Sequence, residues 1–137
     1  MNTVVDVSVQ DSAALRAALA HARAQGLRTK DAAESLGASE GAAVAAHVGV
    51  HEHPMQVQAL KPEWFELLSA LQPCGTLMAL TRNEAVVHEK DGVYQGFSRE
   101  GQVALCNNED IDLRIFFFQW HAGFAVQELG HGGQMMR

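Results

Sequence analysis

Four basic side chains in the carboxyl-terminal half, Arg82, His88, Arg114 and His121, stand among aromatic and aliphatic residues. A neutral imidazole donates a ring nitrogen to transition metals and to heme iron, and a guanidinium pairs with carboxylates. A porphyrin site needs those two groups and an apolar slot, so the residue types for one are present. Each also has a plain structural reading. Arg82 adjoins an Asn83-Glu84 turn, His88 faces solvent or a sheet neighbour, and Arg114 is within reach of Asp110 or Asp112.

Other groupings carry less. His47 and His51 have helical i, i+4 spacing, and His51-Glu52-His53 alternates, a pattern open to a metal ion but equally to a solvated polar loop. His131, amid glycines, reads as tail. The stretch from Thr29 to Val48, around Leu36-Gly37-Ala38-Ser39, has the outline of a helix-turn-helix. Its second helix, from Glu40 to His47, offers almost nothing to read base edges, and the net charge of −6 opposes a phosphate backbone, so nucleic acid is not expected as a partner. Cys74 and Cys106 are far apart with no Cys-x-x-Cys pattern, which predicts free, half-buried thiols rather than a disulfide or a zinc site.

Helices come first. Leu15, Ala18, Leu19 and Ala22 recur at helical spacing, with Asp11 or Ser12 as N-cap and Gly26 as stop. Thr29 and Ser39 precede two short Ala-rich helices that end at Gly37 and Gly49. His51 to Leu60 reads as irregular, and Pro62 opens a fourth helix to about Leu71, with Trp64, Phe65, Leu68 and Leu71 as its buried stripe. Past Pro73 the period changes to that of strands: Thr76 to Thr81, Ala85 to Glu89, Val93 to Arg99, Gln102 to Cys106, Asp112 to Gln119 and Gly123 to Gln127. Asp91-Gly92, Glu100-Gly101 and Asn107 to Asp110 are the expected turns. The expectation is an α+β fold, amino-terminal helices packed on a meandering antiparallel sheet. At 137 residues one domain is expected, with residues 11–72 helical, 75–128 forming the sheet and 129–137 a tail.

Apolar runs such as Ile115 to Phe118 are far short of the roughly 20 residues that cross a bilayer, so no membrane insertion is expected. Met1 to Gln10 carries no Lys or Arg and no long apolar core, unlike a secretory signal, which places the chain in the cytoplasm.

The segment Arg82-Asn83-Glu84-Ala85-Val86-Val87-His88-Glu89-Lys90-Asp91-Gly92 resembles the Arg-Asn-Glu-x-x-x-His-Glu-x-x-Gly segment of hemin-degrading factors of the HemS and ChuS type. Ile111-Asp112-Leu113-Arg114-Ile115-Phe116, then Gln119-Trp120 and Phe124-Ala125-Val126, resemble the same family in the same order, as does Leu27 to Gly37 near the front. The resemblance is to the amino-terminal half of that family. It implies cytoplasmic heme binding and trafficking, with heme as cofactor and ring opening in a reductant-dependent, oxygenase-like reaction as the family's further activity. It makes Arg114 the arginine on the distal side of the heme and His88 an axial iron ligand. Phe116, Phe118 and Trp120 then suit an apolar wall, though alternation lets only one set face a given side, and Arg82 or Lys90 suits a propionate. Complete members have two homologous halves, and this chain ends near where further strands would follow. An open sheet edge seeks a partner, so a homodimer or a second family half is expected. The alternative is a non-catalytic protein-interaction or regulatory module derived from a half-length member.

Overall fold

The computed structural model describes residues 9–129 and 135–136. The described residues divide into two compact units, one built from residues up to Leu60 together with those from Ala122 onward, the other from Lys61–His121.

In the first unit, α1 (Val9–Ala24) starts before Asp11 and Ser12, so neither is its cap, and it stops ahead of Gly26, whose φ of +93° is open to glycine at no steric cost. Next come α2 (Thr29–Ser35) and α3 (Glu40–Ala45). Ser39 caps α3 as its position predicts, its hydroxyl accepting from the Ala42 amide at 3.0 Å. Leu19, Ala22, Ala32, Ala33 and Ala43 form the buried core of these helices, so the small residues of the helix-turn-helix outline serve close packing. The segment read as irregular contains β1 (Met55–Ala59), which pairs antiparallel with β7 (Phe124–Leu129). Met55 and Val57 face inward while Gln56 and Gln58 face out, a period of two that the short run after Pro54 concealed. Part of the expected tail joins this sheet: Met135–Met136 form β8, paired with Leu129 and Glu128. His131 lies outside the described residues.

The second unit opens with α4 (Trp64–Ser69), where Trp64 is buried and Phe65, Leu68 and Leu71 are half-buried. Glu63 takes its N-cap position, so Pro62 stands outside the helix rather than opening it. A hairpin of β2 (Thr76–Arg82) and β3 (Val87–Val93) follows, then a three-stranded sheet of β4 (Phe97–Glu100), β5 (Val103–Asn107) and β6 (Asp112–Phe116). The class is α+β, with the described strands gathered into three sheets in place of one continuous meander.

Asp91-Gly92 is not a turn. Both residues lie inside β3, and the hairpin closes at Asn83, whose side-chain oxygen accepts from the amides of Ala85 at 2.8 Å and Val86 at 2.9 Å. Gly92 is glycine for another reason: a Cβ there would lie 2.8 Å from Ile111 Cγ1 and 2.9 Å from Asp110 Cβ. The hairpin thus presses on the β5–β6 connection, and Ala79, Cys106 and Ile111 form the buried core beneath it, with Tyr94, Phe97 and Leu113 packed around. The turns at Glu100-Gly101 and Asn107 to Asp110 form as expected, the latter held by Asn108 accepting from the Asp110 and Ile111 amides, each at 3.0 Å. β6 ends at Phe116, and Phe117–Gln119 tighten into a 3-10 helix. No helix among the described residues is long and apolar enough to cross a membrane.

Candidate functional site

Pairing in the β4–β5–β6 sheet sorts its side chains onto two faces. Phe97, Ala104, Cys106, Leu113 and Ile115 turn toward the core. Ser98, Glu100, Val103, Leu105, Arg114 and Phe116 occupy the other face, with Leu105 opposite Arg114 and Val103 opposite Phe116. On this outer face Leu105 is 39% exposed and Phe116 45%. An apolar surface left open on both sides of a cation is unusual for a strand that only has to be solvated.

Two cavities meet at Arg114 and Phe116. One, of about 640 Å³, lies along the outer face between Ser98, Glu100, Val103, Leu105, Arg114 and Phe116. The other, of about 310 Å³, is walled by apolar side chains of α4, β2, β6 and the turn after β6, and holds Thr81, Tyr94, Arg114 and Gln119 as its polar groups. Of the two carboxylates within reach of Arg114 in the sequence, Asp110 and Asp112, Asp110 faces Lys90 at 3.8 Å instead, and among the described residues Arg114 forms no ion pair. Arg99 also borders the larger cavity, but its guanidinium lies over the Phe65 ring at 5.4 Å and its Nε donates to the Gly101 carbonyl at 2.9 Å.

Trp120 lines the smaller cavity and is set by two rings, Phe117 at 5.5 Å edge-on and Trp64 at 5.9 Å. Alternation of buried and exposed side chains runs on from Ile115 into the 3-10 helix. Phe117 is buried while Phe116 and Phe118, in edge contact at 5.9 Å, are both exposed. Phe118 lines neither cavity.

Of the hairpin, Leu80 and Thr81 line the smaller cavity, whereas His88 and Arg82 do not. His88 is exposed and lines neither cavity, but it pairs with Thr81, so the two share a face and Thr81 is a cavity residue. Arg82 pairs with Val87 on the opposite face. His121 is exposed and lines neither cavity. The structure therefore brings Arg114, Phe116 and Trp120 together and leaves His88 and Arg82 on the hairpin. Leu105 and Tyr94 were missed as site residues. The signal for Leu105 was its place in a strand whose other face holds Ala104 and Cys106; Tyr94 had only its position beside a matching motif.

Tyr94 stacks on Phe97, 6.4 Å between centroids and 14° between planes. Burial, reinforced by the neighbouring Cys106 thiol, pushes its phenol above the ordinary value. Burial likewise raises the Cys106 thiol, which donates to the Gln95 carbonyl at 3.3 Å. Cys106 is fully buried and Cys74 exposed, so the two thiols are not alike.

In the first unit, His47 is buried, bonded through Nδ1 to the Ala43 carbonyl at 2.7 Å, and 4.6 Å from the ring of His53. The His53 Nδ1 accepts from the Met55 amide at 3.0 Å. His51 lines an open depression with Gln56 and Val57. No group of three metal-binding side chains converges among the described residues.

A family model described as the haemin-degrading HemS/ChuX domain matches residues 37–136. Among curated relatives, the hemin transport protein HmuS of Yersinia pestis is 34% identical over 115 residues, covering 82% of this chain and 32% of its own length. The heme-binding protein PhuS of Pseudomonas aeruginosa, solved in its holo form, superposes with a TM-score of 0.80 at 42% identity, over 89% of this chain and 35% of that one. The heme-degrading enzyme ChuS of Escherichia coli O157:H7 gives a TM-score of 0.77 at 26% identity, over 89% and 36%. The chain thus spans about a third of the length of these proteins.

Proposed function

The chain belongs to the haemin-degrading HemS/ChuX domain family, and from that premise we propose that it binds heme in the cytoplasm and passes it on in heme-iron utilisation. The observation that carries the reading is Arg114 between exposed Leu105 and Phe116, at the junction of two cavities. A porphyrin is a flat apolar plate with carboxylates at one edge, and this surface offers it apolar contact and one guanidinium with five donors.

Within this reading Arg114 supplies the cationic contact, while Phe116 and Trp120 supply apolar wall. His88 is assigned to the iron, as the imidazole that shares a face with cavity residue Thr81. Arg82 and Lys90 are left for the propionates only as charges on the hairpin. Bound heme supplies a redox-active iron; the chain's own residues bind and orient it. Ring opening is proposed only as a second step, after binding.

The test is a hemin titration of the purified chain, read by visible absorbance, beside Arg114→Ala and His88→Ala. Saturable one-to-one binding that either substitution alters supports the site. Featureless, nonsaturating absorbance identical in all three proteins rejects it. The alternative, a protein-interaction module, draws on the hairpin face, where Met78 is 56% and Val87 58% exposed. That reading requires a stable complex and an unaltered hemin spectrum. We also propose that a second copy or a second family half pairs with this chain through an open sheet edge. A strictly monomeric mass over a wide concentration range rules out the homodimer.

A further inference from the structure

The smaller cavity has a composition that the larger one lacks. Three neutral hydrogen-bonding side chains, Thr81, Tyr94 and Gln119, are set into mostly apolar walls, with the Arg114 guanidinium shared between this cavity and the open sheet face. At about 310 Å³ it is at the small end of ligand pockets, a size for an arm of a ligand rather than for a macrocycle.

Tyr94 is the most constrained of the three. Its ring is held by the parallel contact with Phe97, and its hydroxyl makes no hydrogen bond to any described residue. Burial raises its phenol, so it remains a neutral O–H donor throughout the physiological range. A neutral donor in an apolar wall favours an ionised acceptor over a neutral one. Hydrogen bonds to charged groups are roughly twice as strong as those between neutral groups.

We infer that Tyr94, beside Thr81 and Gln119, receives a propionate of a heme whose ring lies against Leu105 and Phe116. The inference rests on the heme reading above and adds a residue that fixes the ring's rotation in its own plane. Arg114, at the boundary of both cavities, contributes positive potential to the carboxylate while remaining available to the ring.

The experiment compares hemin with its dimethyl ester, in which both carboxylates are blocked, on the wild-type chain and on Tyr94→Phe. The substitution keeps the ring and its contact with Phe97 and removes only the hydroxyl; a wild-type circular dichroism spectrum checks that the fold is intact. Esterification is expected to weaken wild-type binding about tenfold or more, Tyr94→Phe to weaken hemin binding by a similar factor, and the ester to bind both proteins alike. Equal hemin affinity for wild type and Tyr94→Phe overturns the inference while leaving the heme reading standing. So does a Tyr94→Phe loss that is just as large for the ester. Failure of the wild-type chain to bind either compound saturably overturns both.

Discussion

Leu105 and Arg114 are direct partners across the β5–β6 ladder, on the face opposite to the one that buries Cys106 and Ile115. Residues i and i+1 of one strand thus divide the labour. Cys106 builds the core and Leu105 stays open to solvent beside a guanidinium. The apolar residue on the outer face gives nothing to the core, so its contribution lies with whatever contacts that face.

Removing the guanidinium tests that division. Arg114→Ala is expected to weaken hemin binding about tenfold or more, the scale of a lost charge-assisted contact, and Arg114→Lys to recover part of it, because an ammonium keeps charge without the planar fork. Thermal stability should change by no more than about 0.5 kcal/mol, as for other exposed positions. A large loss of stability in Arg114→Ala would show that the residue supports the fold.

Gly92→Ala probes the contact that sequence alone misreads. The added methyl meets Ile111 and Asp110, so a cost of about 1–3 kcal/mol is expected from overpacking, measured by urea unfolding. If Asp91-Gly92 were a surface turn with room for a side chain, the same substitution would leave the midpoint nearly unchanged.

The two thiols give a labelling prediction. Cys74 is exposed and should react promptly with an aromatic disulfide reagent near pH 8. Cys106 is fully buried, with its thiol raised by burial, so the thiolate that attacks the reagent is scarce and inaccessible. One equivalent should react in the folded protein and a second only on denaturation; two fast equivalents would contradict the core assigned here.

Local signals were legible where chemistry is local. Ser39 as an N-cap, Gly26 as a stop, and the turns at Gly101 and Asn107 to Asp110 need only neighbouring residues to act. What failed needed distant partners. Asp91-Gly92 carries a turn signature, yet Ile111 fixes Gly92 in a strand, and Asn83 makes the turn because its side chain reaches two amides. β1 has the alternation of a strand over only five residues, and its pairing partner lies beyond Gly123. At the site, Arg114, Phe116 and Trp120 converge because β6 and the turn after it carry all three. His88 and Arg82 belong to a hairpin whose position no local pattern encodes.

His47 supplies a pH dependence. Burial pushes its pKa below the ordinary value of 6.5, and His53, Arg16 and Arg23 push the same way, against the hydrogen bond to Ala43. The unfolded chain therefore takes up a proton at His47 at a higher pH than the folded chain does. Above the unfolded value both forms are neutral and His47 adds no slope. As pH falls below about 6.5 the unfolded state binds the proton first, and stability declines until the folded pKa is passed. Unfolding midpoints measured between pH 8 and 5 should fall on the acid side for the wild-type chain. His47→Gln keeps a donor for the Ala43 carbonyl without titrating in this range, so it should flatten the part of the slope due to His47. A wild-type and a His47→Gln profile that run parallel from pH 8 to 5 would remove His47 as the cause.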